Sequence, residues 1–577
     1  MMFINKSRKK ERTGARTSTL IGAVVGAFFL PHCAASDDPS VLPLVADGPS
    51  VVDEQLVWVN HTTSQIVVLD PHTIRSPTVI ALDQAIATTT FGPHEVLALG
   101  RSNDDDEPVL DVVRFPALGR ARIELFARFN RLIVSKNGHS AILIHDLHSA
   151  GDMPVAAQNQ NEIAVVDLIN GTARRVLLDT ESATPRNVIF SPQDEHAAVV
   201  LDGAIVLVGL GANTSRIKVP LKLPGGGQLL PEHVEFAPDG RHLLITVNGT
   251  TEVIVMNIYN PDETLDGSLN FISVPGAGRL LEIALPPSER YDGHIAALFR
   301  RANGGGTIAA VFDVNGDASA IPPLETSDKA SKIAFLGNGM LLIHGAPVVW
   351  GWNAVSGGTD YVAGWNAASG QSDEDQLAGP TLGPPVLGQD AAFFLHNENF
   401  AAGGGSAGGV GTTVATTLTR VSLETSTARI AVELRPLVLG GVVKDYTADP
   451  ERGGILLGID IPRANSGAAP PLVEDEENAD GEGYSQSLYT VYPSNAWIRD
   501  RTGALTRVDA SDLSIETLIL DDPIDRVGIV GAYIFATHAG ALGDVTIVPS
   551  THFDRTHAVR YDGVLLAGLL SANEVTP

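Results

Sequence analysis

Two histidines around one aspartate form the first group in the sequence that could bind a metal ion. His145 and His148 stand in the stretch HDLH, which follows an apolar run typical of a β-strand. If the strand ends at Asp146, the next hairpin could turn both imidazoles toward one ion. No third ligand follows at a recognisable spacing, so the alternative is a pair of polar residues at a strand end.

A second candidate is the stretch DVNGD, in which Asp313, Asn315 and Asp317 could present oxygens to a calcium ion. The glycine comes two positions earlier than in an EF-hand loop, and no glutamate stands at the twelfth position. The stretch also aligns with DLINGT at Asp167–Thr172, a hairpin-turn pattern. We therefore predict a turn and no cofactor, with a calcium site as the alternative.

Motifs of known enzyme classes are weak or missing. Ser406 in GGSAG matches the G-x-S-x-G pattern of serine hydrolases. That pattern requires a strand-to-helix turn, whereas the surrounding glycines predict a loop. The sequence contains no phosphate-binding loop, dinucleotide fingerprint, paired-cysteine metal site or zinc-protease helix.

Histidines recur at a similar place in several apolar stretches, in FGPHEV, EHAAVV, RHLLIT and GHIAAL. These are His94, His196, His242 and His294. Their spacing is loose, so we predict a structural role at the start of a strand, with a ring of ligands as the alternative.

The N-terminus has the pattern of an export signal. Six lysines and arginines precede the apolar run Thr19–Leu30, which is too short to span a bilayer stably. Cys33, the only cysteine, follows directly in LPHCAAS, a stretch that resembles the lipobox of bacterial lipoproteins. Pro31 and His32 depart from the small residues of that pattern. We predict lipidation of Cys33, with ordinary cleavage after Ala35 as the alternative.

Composition and charge exclude several partners. The 577 residues are 44% hydrophobic and 18% charged, with 58 Gly and 35 Pro, which is typical of a globular protein rich in strands and turns. The net charge is −28, and the chain after residue 32 has 33 basic and 66 acidic residues, or −33. Such a surface repels phosphate backbones and anionic lipids, so we expect no nucleic acid and no membrane contact beyond the anchor.

Short apolar runs recur between turn residues about every 45 to 50 positions, the length of a four-stranded blade. The clearest copies contain FSPQDEH and FAPDGRH, at Phe190–His196 and Phe236–His242. A second pattern, an apolar strand followed by a turn and another strand, predicts third and fourth strands. It occurs in four places, namely Ser64–Leu82, Glu162–Leu178, Leu418–Leu434 and Leu505–Leu520.

These repeats resemble those of exported YVTN-type and TolB-like β-propellers, most clearly over Arg131–Trp352. The resemblance implies an all-β propeller of four-stranded antiparallel blades but no particular activity. We predict eight blades, with seven and nine as alternatives, and a ring that the two chain ends could close by sharing one blade.

The predicted organisation is a signal peptide at residues 1–35, a linker at 36–50 and the propeller at 51–577. Insertions are predicted at 401–417 and 463–487, and an acidic hairpin tip at 102–108. We expect a protein of the cell envelope, lipid-anchored or periplasmic, with secretion as the alternative. Its predicted function is the non-enzymatic binding of a protein or envelope component. The alternative is a hydrolase or lyase with a metal-dependent site in the central channel.

Overall fold

A computed structural model gives the fold of residues 44–567. Gaps within that range leave out residues 74–75, 147–160, 179–184, 212–214, 223–225, 248–249, 261, 263, 316–321, 329, 346–360, 367–370, 378–380, 402–411, 427–428, 440, 463–500, 539 and 541. Leu44–Pro577 forms one compact unit. In the described part of the chain, no helix is long and apolar enough to cross a membrane.

The described residues form ten antiparallel sheets of four strands each, which we number as blades 1 to 10 in chain order. Within each blade, consecutive strands are neighbours. The first five blades contain these strands: β1 Ala46–Val52, β2 Gln55–Asn60, β3 Gln65–Leu69, β4 Thr78–Ala81; β5 Gln84–Phe91, β6 Glu95–Ser102, β7 Pro108–Arg114, β8 Gly119–Glu124; β9 Arg131–Val134, β10 Ser140–Ile144, β11 Glu162–Asp167, β12 Thr172–Leu177; β13 Asn187–Phe190, β14 His196–Leu201, β15 Ala204–Gly209, β16 Arg216–Pro220; β17 Pro231–Phe236, β18 His242–Val247, β19 Glu252–Asn257, β20 Leu269–Ser273.

The other five blades follow the same order. Their strands are: β21 Ala277–Ala284, β22 His294–Arg301, β23 Thr307–Asp313, β24 Leu324–Thr326; β25 Ala330–Phe335, β26 Leu341–Gly345, β27 Tyr361–Asn366, β28 Gln371–Gln376; β29 Val386–Leu387, β30 Ala391–Ala401, β31 Thr412–Ser426, β32 Arg429–Leu439; β33 Val442–Asp449, β34 Gly454–Pro462, β35 Arg501–Val508, β36 Ile515–Ile519; β37 Ile524–Val530, β38 Tyr533–His538, β39 Val545–Pro549, β40 Val559–Tyr561. Two short 3₁₀ helices span Ser288–Arg290 and Val564–Leu566.

The core lies between the blades. Buried apolar side chains form ten clusters, and each cluster joins two consecutive blades. Many second and third strands are covered on both faces and are therefore mostly apolar; all six residues of β15, for example, are buried. Phe236 packs with Ala198 and Leu207 of the preceding blade, so it lies between two blades.

The ring closes between blades 10 and 1. Trp58 and Leu56 of blade 1 pack against Phe535 and Ile547 of blade 10 in one buried cluster. Blade 1 consists of residues 46–81 and blade 10 of residues 524–561, so the two chain ends do not share a blade. Closure therefore depends on the packing of two complete sheets.

First strands of neighbouring blades lie beside one another, which places them innermost around the axis. Side chains bond these strands from blade to blade. Thr89 donates a hydrogen bond to Asp47, and the backbone N–H of Val527 donates to Asp445 Oδ2 at 2.9 Å. Lys332 Nζ lies 2.6 Å from Glu282 Oε2. These bonds link first strands of neighbouring blades along the inner wall of the ring.

The all-β propeller of four-stranded antiparallel blades is confirmed. All four stretches predicted to be third and fourth strands are so, as β3–β4, β11–β12, β31–β32 and β35–β36. The ten sheets are more than the eight that we counted from repeats. The extra sheets were missed because the turn motif fades outside blades 3 to 7. The first strand begins at Ala46, five residues before the predicted start.

Candidate binding surface

The meander order gives the ring two different faces. Turns between first and second strands, and between third and fourth, lie at one end of every blade, which we call the turn face. Connections between second and third strands, and between successive blades, lie at the other end, the loop face. The chain enters the ring on the loop face, because β1 begins there.

The turns between first and second strands of blades 1 to 6 concentrate histidines and carboxylates on the turn face. We call these six turns the rim. They contain Asp53 and Glu54, His94 and Glu95, His139, Asp194 to His196, Asp239 and His242, and Asp292 and His294. His196, His242 and His294 begin second strands, and His94 directly precedes one, which confirms the position predicted for the recurring histidines.

Several rim histidines are paired with carboxylates. His242 Nδ1 lies 2.8 Å from Asp239 Oδ2, and His294 Nδ1 lies 2.9 Å from Asp292 Oδ1, each within one turn. His94 Nδ1 lies 3.1 Å from Asp53 Oδ1, which joins blade 2 to blade 1. The rim therefore carries carboxylates that are hydrogen-bonded to imidazoles.

These pairs set the charge of the rim carboxylates. Burial alone would raise the pKa of Asp239, but hydrogen bonds from the His242 side chain and the Arg241 backbone outweigh it and lower that pKa. The pKa of Asp292 is lowered in the same way, by bonds from His294 that outweigh burial. Both side chains are therefore anionic at neutral pH.

A tyrosine joins blade 5 to the blade 4 turn. The Tyr259 hydroxyl lies 3.0 Å from Glu195 Oε2 and 3.0 Å from His196 Nδ1. Burial lowers the pKa of His196 despite the nearby Glu195 carboxylate. The Arg241 guanidinium lies 5.8 Å from the centre of the Tyr259 ring. This part of the rim is thus a connected polar surface over two blades.

The inner wall also gathers charge at blades 5 to 7. His233 Nε2 lies 3.5 Å from Glu235 Oε2 in β17, and Glu282 of β21 pairs with Lys332 of β25. The hydrogen bond that His233 donates to Glu235 raises the pKa of His233, although burial opposes it. Among the residues that the structure describes, no three His, Cys, Asp or Glu side chains are placed to hold one metal ion.

The predicted metal residues lie in separate places. The buried His145 ring stacks on Phe129 at 4.8 Å, and burial lowers its pKa. Asp313 Oδ1 accepts hydrogen bonds from the backbone and side chain of Asn315 at 2.7 and 2.8 Å, as expected for a turn. His148, Asp317, Cys33 and Ser406 lie outside the described residues. Both metal sites therefore stay predictions.

The acidic hairpin tip predicted at 102–108 lies on the loop face. The acidic tip at 102–108 is the turn between β6 and β7, where Asp106 lies 3.3 Å from Arg101 and 2.8 Å from Arg128. Residues 402–411 connect β30 to β31, and 463–500 connect β34 to β35, both outside the described residues. Thr412–Thr417, predicted as part of a loop, belong to β31.

One feature of the rim, the pairing of its histidines with carboxylates, was not predicted from the sequence. The histidines were noticed, but the carboxylates beside them were not grouped with them. The signal was present in HE, DEH, DGRH and DGH, where an acidic residue stands within three positions of the histidine.

The similarities between this chain and known proteins concern the fold alone. No protein-family model and no curated protein matches the chain. A crystal structure of a eukaryotic initiation factor is 10% identical, covers 89% of this chain and 94% of its own, and has a TM-score of 0.42. The dihydro-heme d1 dehydrogenase NirN is 14% identical, with coverages of 74% and 72% and a TM-score of 0.32.

A third structure is the β-propeller domain of Cps50 (Swd1) from Myceliophteria thermophila. It is 11% identical, covers 52% of this chain and 94% of its own, and has a TM-score of 0.26. With identities of 14% or less and TM-scores below 0.5, we draw no functional argument from these three structures. Whether the repeats are of the YVTN or TolB type stays a prediction.

Proposed function

We propose that the protein is exported, anchored through a lipid on Cys33, and binds a protein or another envelope component through the rim. The β-propeller fold supports, at a general level, a binding or scaffold module. The lipobox-like stretch around Cys33 supports the anchor. YVTN-type and TolB-like exported propellers, which the repeats resemble, support the same location.

The observation that carries the proposal is the difference between the two faces. The rim holds histidines and carboxylates in six consecutive blades, whereas the chain enters the ring on the loop face. The rim therefore lies on the face opposite the start of β1. Surfaces that combine charge with histidine and tyrosine suit a protein ligand.

The alternative function, a metal-dependent hydrolase or lyase in the central channel, needs at least three converging ligands. On the described inner wall, Glu282 is paired with Lys332 and His233 with Glu235. No observation on the described residues favours that alternative.

Photo-crosslinking from single positions in the intact envelope tests the binding surface. We expect protein adducts from a crosslinking residue at Lys136 or Glu289, which are exposed in the rim turns of blades 3 and 6. Matched positions Asp104 and Asn303, exposed on the loop face of blades 2 and 6, should give none. Equal adducts from both faces, or adducts from the loop face alone, would contradict the proposal.

The same capture in a chain lacking residues 463–487 tests whether that acidic insertion recruits the partner instead. We expect the rim adducts to persist in the shortened chain. Their disappearance would move the binding surface to the insertion.

The anchor has its own test. Radiolabelled palmitate supplied to growing cells should label the wild-type protein, and Cys33→Ala should abolish that label because the acylated thiol is missing. Equal labelling of the two proteins, or none in either, would remove the lipid anchor from the proposal.

A further inference from the structure

Three consecutive blades meet in the rim around the blade 3 turn, Ser135–His139. Glu95, from blade 2, is only 5% exposed, and its Oε1 is buried without a hydrogen-bond partner. Asp194, from blade 4, has both carboxylate oxygens buried, also without a partner. Three buried carboxylate oxygens therefore lie in one small region without a hydrogen bond of normal geometry, although the Ser135 hydroxyl is close to Asp194. We call this region the junction.

Both carboxylates lie near the same turn. A Cβ atom on Gly138 would lie 2.6 Å from Glu95 Oε1 and 2.8 Å from Oε2, so the Glu95 carboxylate sits directly against the turn backbone. The Ser135 hydroxyl is near enough to Asp194 to lower its pKa slightly. The turn of blade 3 thus has a carboxylate from each of its neighbouring blades close to it.

The cationic groups around the junction do not neutralise it. His94, Arg114 and His139 face Glu95, and His139 faces Asp194. Arg114 donates a hydrogen bond to the carbonyl oxygen of Leu168, away from the carboxylate. Burial outweighs these groups and raises the pKa of both Glu95 and Asp194.

Buried carboxylate oxygens without donors are rare in proteins because their desolvation is not compensated. What the junction lacks is a positively charged donor with several N–H groups. We propose that the junction binds the ammonium or guanidinium group of a lysine or arginine side chain from a protein partner. This inference rests on the proposed function, since it specifies the chemistry of the partner at the same rim.

Cation binding at the junction should be linked to protons. In the free protein, the raised pKa values mean that protons stay on these carboxyls at pH values above the ordinary 4.5 and 3.8. A bound cation favours the ionised form, so binding releases these protons. Affinity for the cation should therefore rise as the pH rises through this window.

The test uses a decalysine peptide as the probe and the full mature protein, with calorimetry over a pH series in two buffers of different ionisation enthalpy. Glu95→Gln/Asp194→Asn should weaken decalysine binding by about 10-fold, the effect of losing one charge-assisted hydrogen bond, and abolish proton release. Asp104→Asn/Asp105→Asn removes the same charge from an exposed loop-face turn and should retain both. If the double variant does not fold, the same calorimetry is carried out with Glu95→Gln alone.

Further arms distinguish the source of the cation. Spermine and calcium chloride, tested over the same pH series, should bind more weakly than decalysine and release fewer protons. Equal or tighter binding of either with full proton release would make the junction a site for free cations and overturn the inference. Unchanged affinity and proton release in the junction variant would also overturn it.

The two proposals fail in different ways. If decalysine binding does not depend on Glu95 and Asp194 but rim crosslinks persist, only the inference about the partner's chemistry falls. If rim crosslinks are absent, the proposed function falls whatever the peptide does.

Discussion

Replacing Arg507 with methionine is expected to lower the free energy of unfolding by about 3–5 kcal/mol, the cost of leaving a buried charge without its partner. Arg507 is 1% exposed, and its Nε and Nη2 lie 2.7 and 3.2 Å from the two oxygens of the buried Asp449. Its Nη1 also donates to the carbonyl oxygen of Ser550 at 2.8 Å, which joins blade 9 to blade 10. The substitution therefore leaves the buried Asp449 without Arg507 and removes a hydrogen bond between blades 9 and 10.

Denaturant midpoints of the mature chain measure this effect. Asp449→Leu/Arg507→Met should recover part of the loss, because an apolar pair no longer leaves a buried charge. The matched control is the exposed pair of Arg555 and Asp521, 2.7 Å apart with side chains 69% and 65% exposed. Arg555→Met should cost less than about 1 kcal/mol. A similarly small effect of Arg507→Met would show that its ion pair contributes little.

Strand identity was predictable because burial on both faces leaves a direct mark on the sequence. β3 and β11 are apolar runs that end in a polar turn, whereas β31 and β35 mix apolar residues with threonine and arginine; all four were predicted as third strands. First strands lie at an edge and face the channel, so they need not be apolar. β5, QAIATTTF, is an example that carries no recognisable repeat motif. The number of blades was therefore harder to predict than their internal order.

The rim was predictable only in part. A repeat fixes where in a blade a histidine stands, so His94, His196, His242 and His294 could be placed at strand starts. Contacts between different blades are not encoded within one repeat. The hydrogen bond from His94 to Asp53 and the approach of Glu95 to Gly138 depend on how the turns of neighbouring blades meet.

Ring closure is another such contact. The ends of the chain could have shared one blade, as the sequence allowed, but blades 1 and 10 are each complete. The seam is held by apolar packing around Trp58 and Phe535. It also brings two turns together on the turn face, where a Cβ on Gly531 would lie 3.4 Å from the Cβ of Glu54.

That distance is close to the mean of about 3.8 Å between the Cβ atoms of a disulfide. Glu54→Cys/Gly531→Cys should therefore form an intramolecular disulfide across the seam. The bond should raise the free energy of unfolding by about 2–4 kcal/mol, because the cross-link restricts the conformations of the unfolded chain. Gly531 has a φ of +55°, so a side chain there removes about 1–2 kcal/mol of that gain.

Oxidation of this cysteine pair tests most directly whether blades 10 and 1 close one ring with two distinct faces. Residues 44–577 contain no other cysteine, since Cys33 is the only one in the chain. We predict that oxidised Glu54→Cys/Gly531→Cys is a monomer whose first and last blades stay linked after proteolysis until a reductant is added. A control pair, Glu54→Cys/Asn303→Cys, should stay unlinked. No intramolecular bond in the seam pair, or equal linkage in the control, would contradict the closed ring.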